Sequence, residues 1–288
     1  MKLASYIKND QASYGAVVDD GFVDLGAIMG ERFKDLKALI AGGLEEAVDY
    51  VKGKSADTSA QEISLLPVIP NPGVVWAAGM NTHSHFVEAK HAMGLAELPT
   101  VPMFFLRATN TLVASGESLE KPLKEQGFDY EGEIALIIGK RCRNVSVQDA
   151  PKHIAGFAPF NDGSARFYQI SSNQVTTGKN AYRSGGFGPW MATADSIDMS
   201  ALELFTRVND EPRQHMKLDD LIFSFSELIS HISEVNWLEP GDVIVTGSPE
   251  GAGALRDPRI FLAPGDRIEV EVTGIGTLVN TVVEQVIE

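Results

Sequence analysis

Phe128-Asp129-Tyr130-Glu131-Gly132-Glu133 runs directly into Ile134-Ala135-Leu136-Ile137-Ile138-Gly139, and this stretch decides how the chain is read. The apolar, β-branched run after Glu133 reads as a buried strand. Side chains alternate along a strand, so Glu131 and Glu133 leave the same face. At ~3.3 Å of rise per residue they start about 6–7 Å apart, near enough to converge on one small ion. Two carboxylates about 4 Å apart repel by ~4 kcal/mol at an effective dielectric of about 20. Either one takes up a proton or a cation lies between them. An isolated E-x-E is more often a solvated edge-strand pair, so the weight of the cation reading falls on the rest of the chain.

The 288 residues, 44% hydrophobic and 22% charged, have the composition of a soluble globular protein with one large domain or one domain and a small appendage. Lys and Arg number 24 against 39 Asp and Glu, a net charge of −15. Such a field repels phosphate backbones and anionic lipid, which sets nucleic acid and membrane aside as partners. An acidic protein that takes an anionic substrate needs local positive charge, from a metal or from placed lysines and arginines. The single cysteine, Cys142, allows neither an internal disulfide nor a cysteine metal site; a reducing cytoplasm is the expected compartment, and the thiol is read as a spectator. No signal-peptide core and no apolar run of ~18 residues is present.

Residues 1–70 read as a small N-terminal α+β unit. Short strands at Leu3 to Ile7, Gly15 to Val18 and Phe22 to Asp24 surround the turn Asp19-Asp20-Gly21, and a helix is expected from about Phe33 to Tyr50. Pro67, Pro70 and Pro72 mark a boundary, after which residues 71–288 form the second unit. There, Val74 to Gly79 reads as a buried strand. Asn81 to Glu88 opens a short helix capped by Thr82 or Ser84 and ended by Gly94. His85 and Glu88 lie three apart and share a helix face, so a carboxylate can orient an imidazole as a base. Asp162 ends an apolar strand in Asn161-Asp162, Lys179 precedes the glycine-rich Gly185 to Trp190, and Thr246 to Gly251 forms a loop. The C-terminal third alternates strands with turns such as Glu239-Pro240-Gly241-Asp242, around a helix near Ser224 to Val235. Ser115 to Glu120 lacks the final glycine of a nucleophile elbow, and no P-loop or complete dinucleotide fingerprint is present.

Taken together, the motifs resemble the fumarylacetoacetate hydrolase (FAH) family over roughly the last three-quarters of the chain. The segments that carry the resemblance are G-x-N-x-x-x-H-x-x-E at Gly79 to Glu88, F-D-Y-E-G-E at Phe128 to Glu133 and N-D-x-S-A-R-x-x-Q at Asn161 to Gln169. A lysine upstream of G-P-W falls at Lys179, and G-D-x-I-x-T-G-x-P-x-G at Gly241 to Gly251. The resemblance implies a mixed, β-rich α+β fold: a β-roll catalytic domain, a small N-terminal domain, and assembly as a homodimer. It further implies Mg²⁺ or Mn²⁺ on Glu131, Glu133 and Asp162, a water-activating pair at His85 and Glu88 on a lid, and a catalytic Lys179. Substrate contacts would fall on Arg166, Gln169, Thr246 and Asn81. Thr82, Gly163 and Phe167 depart from the family's usual residues, which leaves the metal set intact and puts substrate identity in question.

Three hard carboxylates suit Mg²⁺ or Mn²⁺, and such an ion chelates a small anionic 2-oxo acid while supplying the missing positive charge. The expected activity is hydrolysis of a C–C bond in an acylpyruvate or related 2,4-dioxo acid. The alternative is an isomerase, decarboxylase or hydratase acting on a 2-oxo or 2-hydroxy-dienoate acid at the same metal site.

Overall fold

The computed structural model describes residues 1–93, 97–172 and 174–286, with the side chains of 91–93 outside that description. The strand foreseen after Glu133 is Gly132–Ile138, and every residue in it is buried. Its alternation feeds two cores. Ile134, Leu136 and Ile138 pack with Leu204, Ile244 and Val270, whereas Ala135 and Ile137 pack with Leu39, Ile40 and Val245. A strand apolar on both faces is one sandwiched between layers.

The layers are a large mixed sheet, a five-stranded sheet and the N-terminal helices. Across the large sheet the order is Thr58–Ser59, Gly21–Asp24, Gln11–Val18, Lys2–Lys8, Met191–Thr193, Ile154–Asp162, Gly132–Ile138, Val243–Val245, Val75–Gly79 and Met103–Arg107. Glu211–Lys217, Glu203–Val208, Arg267–Val272, Gly276–Glu284 and Ser118–Lys121 make the second sheet. The fold is therefore mixed and strand-rich, with both parallel and antiparallel pairs. The first 70 residues join the large sheet through Leu3, which pairs with Met191.

The single helix expected from Phe33 to Tyr50 is two, Leu36–Gly42 and Leu44–Val51. The Phe33 ring packs against Gly43 so closely that a Cβ there would lie 2.5 Å from it, and the chain turns at that residue. Asp35 caps the first helix by accepting from Ala38 N–H. The helix near the C-terminus is Phe225–Val235, with Ser224 and Glu227 in a capping box. His83–Met93 is the helix foreseen beyond Thr82, while Gly94 lies outside the described residues.

Candidate active site

Pairing of Gly132 with Asn161 and of Glu133 with Phe160 brings Asp162 beside Glu131, and Asp162 N–H donates to the Glu131 carbonyl at 2.7 Å. One carboxylate oxygen from each of Glu131, Glu133 and Asp162 lies within 4.8 Å of the others, and all three residues are buried. Three hard oxygens that close, in a water-poor setting, form a donor set for a divalent metal.

Each carboxylate is held from outside by a separate donor. Arg166 Nη2 reaches Glu131 Oε1 at 2.6 Å. Arg107 Nη1 donates to Asp162 Oδ1, and its Nη2 to Ser184 Oγ at 2.7 Å. Gly247 N–H donates to Glu133 Oε2 at 2.5 Å. The remaining oxygens of Glu131 and Asp162 meet Lys179, whose Nζ lies 2.5 Å from Glu131 Oε2 and 2.6 Å from Asp162 Oδ2. Burial alone would raise the Glu131 pKa, but Arg166 and Lys179, with His85, hold it well below the usual carboxylate range. Glu133 goes the other way: burial, then the charges of Asp162 and Glu131, push it well above that range. The two glutamates foreseen on one face thus part in their proton affinity, because only Glu131 has cations on both oxygens.

Arg166 is fixed by a residue the sequence reading passed over. Asp129, fully buried, accepts from Arg166 Nε at 2.9 Å and Nη2 at 2.8 Å, and also from Tyr130, Gly253 and Ala254 N–H. Burial works against the Arg166 charge, yet Glu131 and Asp129 more than offset it and raise its pKa. Arg166 Nη1 donates to Gln169 Oε1 at 2.8 Å, placing Gln169 in the same network. The signal for Asp129 was its place two residues before Glu131 in the same acidic stretch, at the end of the short strand Phe128–Asp129. Arg107 was signalled only as the charged end of the apolar Met103–Arg107 strand.

His85 and Glu88 lie on the helix His83–Met93, which is anchored at its start from far along the chain. Ser84 donates its N–H and its hydroxyl to Asp220 at 2.9 and 2.5 Å. Asn81 bridges the Thr246 carbonyl, 2.8 Å, and the Phe223 carbonyl, 3.0 Å, while Phe223 N–H donates back to it. His85 Nδ1 stands 3.6 Å from Glu88 Oε2, beyond hydrogen-bond distance, and is buried without a hydrogen-bond partner among the described residues. Both Glu88 oxygens instead accept from Gly251 N–H, at 3.1 Å each. Gly247 and Gly251 both have left-handed backbone, φ +102° and +96°, and so aim their N–H groups at Glu133 and Glu88. The Thr246 hydroxyl donates to the Ile134 carbonyl at 2.8 Å, so it ties loop to strand. A depression of about 460 Å³ opens at the far end of Gly132–Ile138, among Leu44, Glu45, Lys140 and Lys152; it holds none of these groups.

Residues 74–283 match the family described as fumarylacetoacetate (FAA) hydrolase C-terminal. The chain belongs to that family. It is 34% identical over 225 residues to the mitochondrial oxaloacetate tautomerase FAHD2A of Bos taurus, covering 77% of this chain and 70% of that protein. It is 36% identical over 228 residues to the oxaloacetate tautomerase YisK of Bacillus subtilis, covering 78% and 74%. Among solved structures, maleylpyruvate hydrolase from Sphingobium sp. SYK-6, in complex with manganese(II) and pyruvate, aligns with a TM-score of 0.81 at 28% identity, covering 99% of this chain and all of that one. No helix among the described residues is long and apolar enough to cross a membrane.

Proposed function

We propose that this chain interconverts the keto and enol forms of a small 2-oxo acid, with a 2-oxo diacid of the oxaloacetate type as the favoured substrate. One observation carries the choice over C–C hydrolysis: Glu88 accepts from Gly251 N–H, and His85 Nδ1, 3.6 Å away, has no hydrogen-bond partner among the described residues. Hydrolysis calls for a strong base to draw a proton from water, and an imidazole hydrogen-bonded to its carboxylate serves that step best. Tautomerisation needs only a group that moves a proton at the carbon next to the ketone and a site that stabilises the enolate oxygen. Two relatives named as oxaloacetate tautomerases support the same choice.

A divalent ion on Glu131, Glu133 and Asp162, Mg²⁺ or Mn²⁺, would supply the Lewis acid that chelates a 2-oxo acid and favours its enolate. The residues fit it: with Glu133 ionised, four buried carboxylates (Asp129, Glu131, Glu133 and Asp162) face buried Arg107 and Lys179 and the partly buried Arg166, leaving one negative charge unmatched. Adding two positive charges leaves the site at plus one, which favours an anion. Arg166 and Lys179 then hold the substrate's carboxylate and developing enolate oxygen, Gln169 keeps Arg166 in place, and His85 moves the proton at carbon. Asn81 and Thr246 set the loops that close the site.

The test follows the enol form of oxaloacetate by its ultraviolet absorbance in Mg²⁺ or Mn²⁺ buffer, beside cleavage of an acylpyruvate. Enol decay faster than the buffer rate, abolished by EDTA, is expected. Cleavage of the acylpyruvate at a higher kcat/KM than enol conversion would replace this function with hydrolysis.

A further inference from the structure

The three metal-site carboxylates are not equally free. Glu131 Oε1, Asp162 Oδ1 and Glu133 Oε2 are each fixed from outside, by Arg166, Arg107 and Gly247 N–H respectively. Glu131 Oε2 and Asp162 Oδ2 are both bridged by the single ammonium of Lys179, at 2.5 and 2.6 Å. Lys179 is 3% exposed, so this ammonium has no water to retreat into. An ion held by these carboxylates would compete with that ammonium for Glu131 and Asp162, whose other oxygens already accept from guanidinium groups.

We infer that Lys179 is the chain's own occupant of the divalent-ion position, so that ion and substrate load together. The ion must displace the ammonium from Glu131 Oε2 and Asp162 Oδ2, and a cation kept close by its buried stem then repels the ion unless an anion lies between them. A 2-oxo acid supplies that anion: its oxygens would accept from Lys179 and leave those two carboxylate oxygens to the ion. The linkage is reciprocal, so a ligand that draws Lys179 away tightens ion binding by the same factor by which the ion tightens the ligand. This rests on the metal site of the proposed function, but concerns ion affinity and not turnover.

The experiment is calorimetric titration of Mn²⁺ into metal-free protein, with and without oxalate, a chelator too short to reach beyond the ion and its neighbours. Lys179→Gln, neutral and still able to donate one hydrogen bond, should bind Mn²⁺ about tenfold or more tightly than wild type without oxalate. Its gain in affinity on adding oxalate should be smaller than the wild-type gain. Lys179→Arg, which keeps the charge and is harder to release from two carboxylates, should bind Mn²⁺ more weakly than wild type. Thermal unfolding gives a second readout: Lys179→Gln should be the less stable protein without ion and at least as stable with saturating Mn²⁺. Mn²⁺ affinity in Lys179→Gln equal to or below wild type, or equal affinities in Lys179→Arg and wild type, overturns the exchange. Enol turnover in the same samples judges the reaction separately: its absence, with the affinity order as stated, removes the tautomerase and keeps the exchange.

Discussion

Replacing Asp129 tests whether the network around Arg166 holds the site together. Its carboxylate accepts from Arg166 Nε and Nη2 and from three backbone N–H groups, two of them in the loop that follows Gly251. Removing one partner of a buried ion pair costs about 3–5 kcal/mol, because the remaining charge stays buried. Arg166 keeps Glu131 at 2.6 Å, so its charge is not abandoned and the lower end applies. Asp129→Ala should therefore lose about 3 kcal/mol. Asp129→Asn should lose about half of that, since its carbonyl oxygen still accepts while its amide faces Arg166 donor to donor. At roughly 2 °C per kcal/mol for a chain of this size, the midpoints fall by about 6 °C and about 3 °C. Differential scanning calorimetry of Mn²⁺-saturated protein measures both. A fall of under 1 °C in Asp129→Ala would refute the reasoning, because it would mean that Arg166 and the loop are held by something other than this carboxylate.

Glu133 binds a proton more tightly in the folded, metal-free protein than at its ordinary value of 4.5. Its contribution is therefore fully present below that value and is lost as pH rises through the raised folded pKa; Glu133→Gln should flatten this alkaline decline in EDTA, and an unchanged pH–stability curve would contradict it. His85→Ala should lower enol turnover by about 10²–10⁴-fold with Mn²⁺ affinity within about twofold, whereas Glu88→Gln should cost much less, since Glu88 does not hydrogen-bond the imidazole. Equal losses in the two variants would restore the polarised pair. Asp220→Ala removes two acceptors from the start of His83–Met93 and should destabilise that helix by about 1 kcal/mol, read as roughly fivefold faster amide exchange at residues 84–90; unchanged exchange would deny the anchoring.

What the sequence made legible was local. Strand parity anticipated that Glu131 and Glu133 converge, although Glu131 stands just ahead of the strand, and the apolar run after them is the fully buried strand it resembled. Asp162 joined them only through antiparallel pairing with a strand some thirty residues on, which no window along the chain contains. The partners that tune the site lay further off. Arg107 sits 55 residues from Asp162, Asp220 136 from Ser84, and Gly247 114 from Glu133, so their roles emerge only when the sheet is assembled. The spacing of His85 and Glu88 correctly predicted a shared helix face, but not that a backbone N–H would claim the carboxylate. The helix expected from Phe33 to Tyr50 failed at Gly43 because its apolar spacing is silent about a ring packed across the turn.

The alternation within Gly132–Ile138 ties foldability to chemistry at a single reading frame. Because Ile134, Leu136 and Ile138 serve one core and Ala135 and Ile137 the other, sliding this strand by one residue would underfill the first core and overfill the second. The same slip would swing Glu133 to the opposite face, among leucines and valines. A one-residue insertion between Glu133 and Ile138 is thus a severe lesion even if every original residue survives, whereas the same insertion in an exposed turn such as Asn209-Asp210 would leave that phase untouched.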